Sequence, residues 1–548
     1  MTSTPEAPEA AAPAPGDLRV QRRRLPSLPQ RTSNLSSLLR QTAARLPAGT
    51  ALVRGAVRWS WRELDARADA LAAALGEAGI GPGDVVMLHA GNCRDYLTVM
   101  VATWRVGAVI TPTNSKLTPA DVARLAEVVR PDLLVVEEGA EAHAAALAPV
   151  PCWTLSDGPG SEAHPHVGAL VERHRGARVP DAQVAVGEPA WFFFTSGSSG
   201  RPKAAVLTHD QMAFVVNNHI ADLMPGLDAD DATLVLAPLS HGAGVHVLTH
   251  VARGAAVVLL PGESLDVAQA WDLIAEHRVS TLFTVPTILN RLVQGVRPDT
   301  DLTSLAHVVY AGAPITRQDQ ARARQVLGPV VEQYYGLCEV TGAITVLPPS
   351  LHEDVPTVDG IVTAGHARTG MTLSIQDPDG RHLPAGERGE ICVVGPAVFC
   401  GYLGNDAANA SSFREGWFRT GDLGLLDEHG LLYITGRASD MYISGGSNID
   451  PREVEEKILA HPAVRAVGVV GAPDPDWGEV GYAVAVVEDG LGADELLAWC
   501  REHMARYKAP KRVHLVDQLP TTAYGKVTTA VLRELLQSAG AWPAGSVR

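Results

Sequence analysis

The sequence predicts a large N-terminal α/β domain of layered sheets, ending in a barrel-like subdomain, and a small α+β C-terminal domain. Three observations carry this. Apolar runs of strand length alternate with helix-period segments from about residue 60 to residue 335, which puts parallel strands under covering helices. From Gly386 to Tyr433 the pattern changes to short strands separated by turns, as in EICVVG and LLYITG, which suits antiparallel or barrel-like pairing. Beyond Arg437 a further unit of about 100 residues has its own strands and helices.

The elements follow in order. Residues 1–35 are rich in Ala, Pro and Glu and carry Arg22, Arg23 and Arg24, which reads as a disordered tail without a secretory h-region. Ser60 and Glu63 form a capping-box pattern. Leu64, Ala68, Leu71 and Leu75 follow at helical spacing, and Gly76 and Gly79 stop the run. Gly81 to Asp84 is a turn and Val85 to Leu88 a buried strand. Cys93 to Trp104 is helical, Ala108 to Ile110 a strand, Thr118-Pro119 a helix start and Leu133 to Val136 a strand. Strands recur at Leu234–Leu236, Ala256–Leu260, Thr281–Val285 and His307–Tyr310. In the last unit Asp450 caps a helix, Pro451 takes its first position and Glu453 completes a capping box. Val454 and Ile458 face one side of it. Strands at 467–470, 483–487 and 513–516 and a helix at 495–504 complete the unit. Residues 538–548 form an aperiodic tail.

Composition excludes several classes. The 548 residues are 46% hydrophobic, and 45 Lys and Arg against 61 Asp and Glu leave a net charge of −16. Nucleic-acid binding rests on clustered cations, so this acidity argues against it. Six scattered cysteines form no zinc spacing and indicate a reduced, cytoplasmic setting. No apolar run reaches the ~20 residues of a membrane span.

The chemistry centres on WFFFTSGSSGRPK, residues 191–203. A buried strand ends in Thr195, and Ser196, Gly197, Ser198, Ser199 and Gly200 follow with almost no bulk before Lys203. Such a segment exposes backbone N–H groups to an oxyanion, hydroxyls add donors and the lysine adds a point charge. This is phosphate-cradling chemistry without the Walker spacing.

TSGSSGRPK resembles the phosphate loop of the adenylate-forming superfamily, which includes acyl- and aryl-CoA synthetases, luciferases and peptide-synthetase adenylation domains. Four more segments match that family in order. Tyr335, Gly336, Leu337, Cys338 and Glu339 resemble its Tyr-Gly-x-Thr-Glu motif, with cysteine replacing the threonine. The resemblance implies that Tyr335 stacks on adenine and that Glu339 holds the Mg2+ bridging the ATP phosphates. Gly312, Ala313 and Pro314 join the implied nucleotide site. Trp417 to Asp422 matches a segment whose aspartate accepts the ribose hydroxyls, and Arg437 resembles the ribose-contacting arginine before the hinge. Ser439 stands where relatives carry Asp or Lys. Pro520 to Lys526 resembles the C-terminal lysine motif, which implies that Lys526 contacts the acyl carboxylate as the anhydride forms. Pro238 to Gly242 resembles the acyl-pocket segment. His241, Thr284, Val285, Tyr310, Ala311, Leu337 and Ala343 are the pocket candidates.

The resemblance implies an adenylate-forming domain at 36–436, a hinge at 437–440 and a mobile C-terminal domain at 441–537 with the catalytic lysine. Thr195, Lys203, Glu339 and Lys526 are the implied catalytic set. The implied reaction joins a carboxylic acid, aryl or medium acyl, to the α-phosphate of ATP and then to coenzyme A. Other relatives use an amine, or activate nitrite for diazotisation of an aryl amine. A non-catalytic nucleotide-binding relative is the reading of another class. The expected assembly is a monomer or homodimer.

Overall fold

A computed structural model describes residues 32–156, 164–195, 202–262, 264–313, 315–358, 361–444, 447–522 and 527–543. The expected tails, Ser196 to Gly200, Pro314 and Lys526 lie outside the described residues, apart from 32–35 and 538–543.

Two sheets and the helices between them form the body of the large domain. The first has six strands in the order Cys152–Leu155, Leu133–Glu137, Val85–His89, Val109–Thr113, Pro189–Thr195 and Lys203–Thr208. Its first five strands are parallel, and the last pair is an antiparallel hairpin. The second has nine strands, with the parallel run Val331–Tyr335, His307–Tyr310, Thr281–Thr284, Ala232–Val235, Ala256–Leu259 and Thr50–Arg54 at its centre. One continuous apolar core takes Val86, Ile110 and Trp191 from the first sheet and Leu52, Val257 and Leu259 from the second. Burial on both faces explains why these strands read as unbroken apolar runs.

Local signals act where the sequence places them, with small shifts. Ser60 and Glu63 form the reciprocal capping box of the helix Trp61–Glu77. That helix runs through Gly76, and the turn comes at Gly79, whose φ of 84° suits glycine. The helix expected from Cys93 starts at Tyr96. Thr118 and Asp121 cap the helix Pro119–Val129.

The antiparallel segment begins earlier than expected. Its strands Thr372–Gln376, Gly389–Val394, Trp417–Leu426 and Phe413–Arg414 pair in that order, with Leu432–Arg437 along the long strand Trp417–Leu426. The stretch just after Gly395 crosses back to the first sheet. Val206 N–H donates to the Gly401 carbonyl at 2.9 Å, and Leu403 N–H donates to the Ala204 carbonyl at 2.9 Å. The outermost strand, Lys203–Thr208, is thereby covered.

The C-terminal unit has a sheet built on the long hairpin Val464–Asp474 and Gly478–Val487, joined by Arg512–Leu515 and the small hairpin Tyr442–Ser444 and Ser447–Ile449. Helices Pro451–Leu459 and Ala493–His503 cover one face. The helix Thr529–Ser538, which the sequence pattern did not single out, covers the other through Leu532 and Leu536. Asp450 caps its helix by accepting from Arg452 N–H, but the expected box with Glu453 does not form. Lys508 captures the Glu453 carboxylate instead. Among the described residues no helix is long and apolar enough to cross a membrane.

Candidate active site

Two of the implied nucleotide residues, Thr195 and Tyr335, end strands with parallel neighbours, where ligands of open α/β sheets bind, while Asp422 and Arg437 come from the antiparallel segment. Thr195 ends one such strand and pairs directly with Lys203 across the hairpin. The two strand ends that flank the implied phosphate loop therefore lie side by side. The Lys203 ammonium lies 5.0 Å above the Tyr402 ring. The Tyr402 hydroxyl donates to Glu339 Oε1 at 2.7 Å. Burial, and then the Glu339 charge, raise the Tyr402 hydroxyl above its ordinary range, so it stays a donor.

Glu339 sits in a short 3-10 turn, Cys338–Val340, and is 8% exposed. The turn is held from outside. Phe399 N–H donates to the Glu339 carbonyl at 2.8 Å. Gln211 donates to Thr341 Oγ1 at 3.0 Å and to the Ala397 carbonyl at 2.7 Å. Cys338 is half-buried against the main core. Gly336 is required by packing, since a Cβ there would lie 2.3 Å from Gly342 Cα.

Asp422 is the second centre. It is 4% exposed, and both its oxygens are engaged. The Tyr335 hydroxyl donates to Oδ2 at 2.6 Å, and Arg437 Nε donates to Oδ1 at 2.7 Å. The strand register places Arg437 opposite Asp422, which makes the ion pair a cross-strand contact. The Asp422 charge holds the guanidinium in its charged form. Burial and the same carboxylate push the Tyr335 hydroxyl well up. Tyr335, Asp422 and Arg437, far apart in sequence, thus form one bonded cluster.

The pocket candidates divide. His241 directly precedes the helix Gly242–Arg253 without a side-chain capping bond, bonds Ser240 Oγ through Nδ1 at 2.8 Å and presents its ring edge-on to Phe193. Leu337 is half-buried, and Gly312, with φ of 84°, is exposed beyond its strand beside half-buried Ala313. Ala311, Thr284 and Ala343 are buried. Tyr310, with Thr284 opposite it in the parallel register, does not share the face of Ala311. Strand alternation sends Val309 and Ala311 to one face and Val308 and Tyr310 to the other. There the Tyr310 hydroxyl accepts from Gln320 at 2.8 Å and lies 3.1 Å from Gln333 and 3.2 Å from His352. Tyr402 and Gln211 escaped sequence reasoning. Their partners lie 63 and 130 residues away, so no local pattern marks them.

A two-domain enzyme that handles a nucleotide at strand ends is what this fold and cluster define. The chain belongs to the AMP-binding enzyme family, whose main domain matches residues 39–403 and whose C-terminal domain matches residues 453–526. It is 34% identical over 513 residues to a feruloyl-CoA synthase of Amycolatopsis sp, covering 92% of this chain and 99% of that one. The ATP-bound MatB structure from Rhodopseudomonas palustris superposes with a TM-score of 0.81 at 30% identity, covering 93% of this chain and 100% of that one. The amide bond synthetase McbA from Marinactinospora thermotolerans gives a TM-score of 0.80 at 29% identity over 91% and 99% of the two chains.

Proposed function

We propose that this enzyme activates a carboxylic acid, aryl or medium acyl, with ATP as an acyl-adenylate and transfers the acyl group to coenzyme A. The observation that carries the reading is the bonded cluster of Tyr335, Asp422 and Arg437, whose Tyr335 lies four residues before Glu339. An ionised carboxylate has about four lone-pair sites. Two of those on Asp422 are taken, which leaves acceptors for a ribose diol. Thr195, Lys203 and the loop between them would hold the phosphates. Lys526 would steady the negative charge that spreads over the acyl and phosphate oxygens during attack.

Among the described residues no cluster of three or more His, Cys, Asp or Glu could hold a metal by itself. Magnesium needs no such cage, because it takes one or two carboxylates and completes its shell with water and substrate phosphates. Glu339, steadied through one oxygen by Tyr402, fits that role. When bound, the ion neutralises charge on the triphosphate.

The two half-reactions test the reading. Lys526→Ala should abolish most adenylate formation from acid and ATP, yet still make thioester from pre-made acyl-adenylate and coenzyme A. An equal fall in both would remove Lys526 from the adenylation step. A parent enzyme that forms adenylate but passes it only to an amine or to nitrite would replace the coenzyme A reading. The close likeness to an amide bond synthetase makes the amine arm of that assay worth running.

A further inference from the structure

The candidate Ala311, together with Gly242 and Gly342, adjoins three rings that sequence reasoning did not single out. His246 and Phe283 stack with centroids 4.1 Å apart and planes 14° apart. Phe283 and Tyr334 lie 6.0 Å apart at 11°, and His246 and Tyr334 lie 5.6 Å apart at 20°. The three planes are therefore nearly parallel. They come from the helix Gly242–Arg253, the strand Thr281–Thr284 and the strand Val331–Tyr335.

The adjoining glycines make room for these rings. A Cβ on Gly242 would lie 2.9 Å from Phe283 Cζ and 3.6 Å from the Tyr334 hydroxyl. A Cβ on Gly342 would lie 2.6 Å from the Tyr334 ring. Ala311 packs in the same cluster as Tyr334. The three rings thus form a wall flanked by Ala311, Gly242 and Gly342.

Behind that wall lies a charge. Arg368 is 1% exposed, with its guanidinium 6.0 Å from the Tyr334 ring and 3.3 Å from His219 Nδ1. Its ion-pair partner, Asp222, stands 3.7 Å away and also accepts from Thr369 and Asn218. Burial, together with Arg368 and neighbouring histidines, drives His219 and His246 to the neutral form. The Tyr334 hydroxyl meets His246 Nε2 at 3.4 Å, a long contact for a phenol. The far wall therefore offers a donor hydroxyl backed by a buried cation.

On the ligase reading above, we propose that Phe283, His246 and Tyr334 end the acyl pocket and set its specificity. They select a planar, ring-bearing acid with an acceptor oxygen at its far edge. Parallel faces suit an aromatic ring, and a donor hydroxyl left without its acceptor penalises a bare ring edge. A long alkyl chain meets the wall.

The test uses the full-length enzyme with ATP, magnesium and coenzyme A, and reads pyrophosphate release. The acids are benzoate and 4-hydroxybenzoate, cinnamate and 4-hydroxycinnamate, and dodecanoate. In at least one pair the oxygenated member should have the higher kcat/KM, and dodecanoate should fall at least about tenfold below it. In that pair Tyr334→Phe should cut the ratio of oxygenated to bare acid about five- to tenfold, through KM for the acid and not KM for ATP. Phe283→Ala, or Phe283→Leu if the first does not fold, should raise kcat/KM for dodecanoate. A parent that prefers dodecanoate, or a ratio untouched by Tyr334→Phe, overturns the specificity proposal while leaving the ligase intact. Failure of every carboxylic acid to release pyrophosphate overturns the ligase reading, and the pocket proposal with it.

Discussion

Asp422 and Asp450 stand on either side of the junction between the two domains, and they are held in opposite ways. Asp422 has a donor on each oxygen, one from the strand Val331–Tyr335 and one from the strand Leu432–Arg437. Asp450 has one: Oδ1 accepts from Arg452 N–H, while Oδ2 is buried with no hydrogen-bond partner. That orphaned carboxylate lies against Gly436, where a Cβ would come within 2.0 Å of Oδ2 and 2.1 Å of Oδ1. A fully satisfied buried carboxylate fixes geometry, whereas an under-satisfied one is a standing cost that movement or a proton relieves. The first suits a site that must be the same in every step. The second suits a contact that is easily given up.

The largest expected effect comes from removing the satisfied carboxylate. Asp422→Ala should lower kcat/KM for ATP by about a hundredfold or more, since Arg437 and Tyr335 lose their acceptor along with the ribose. Steady-state kinetics on ATP would check it, and a loss under about threefold would break the contrast. Next is Gly436→Ala, which drives a methyl group into the Asp450 carboxylate. It should cost about 1–3 kcal/mol of stability in the docked arrangement, by urea unfolding. Adding Asp450→Ser should restore most of the loss, because serine keeps an N-cap oxygen while withdrawing the carboxylate.

A smaller effect sharpens the contrast through pH. Burial raises the Asp450 carboxyl to about 6, with Glu453 adding to the rise and the Arg452 N–H, the Arg452 charge and Arg388 opposing it. A raised acid binds its proton more tightly in the folded protein. Its contact is therefore most favourable below the unfolded value of about 4 and is lost as pH rises through about 6. Asp450→Asn keeps the cap without the charge. It should match the parent near pH 4 and melt about 2–4 °C higher at pH 7.5, read from Tm across that range. Identical pH profiles would place the orphaned oxygen in water. The smallest effect is at Cys338. A hydroxyl is a better donor than a thiol, so Cys338→Thr should leave ATP turnover within about twofold or raise it slightly. A complete loss, with the fold intact, would give the thiol a role of its own.

Much of this arrangement was legible in the sequence, because strand alternation, capping residues and glycine turns act over a few residues. Ser60 with Glu63 and Thr118 with Pro119 behaved as their local chemistry dictates. The errors arose where tertiary contacts compete. Lys508, distant in sequence, draws Glu453 out of a capping box. Chain position puts Tyr310 near the pocket, but strand parity turns it, and Thr284 opposite it, to the other face. The support of Glu339 by Tyr402 and Gln211, and the ring wall backed by Arg368, join elements that only the folded sheets bring together. No periodicity in one sequence encodes such pairings.

The covering of the strand Lys203–Thr208 has a consequence for handling this protein outside the cell. That strand is the rim of its sheet, and Ala204, Ala205 and Leu207 along it are fully buried. An uncovered apolar rim is a template on which a second chain can add. The residues that shield it, Gly401 to Leu403, include the tyrosine that touches Lys203 and Glu339. A substitution at Tyr402 large enough to lift this segment would therefore disturb the Glu339 carboxylate and also create a sticky edge. Lost activity in such a variant would arrive together with concentration-dependent precipitation, so it should be assayed dilute and by light scattering before its kinetics are interpreted.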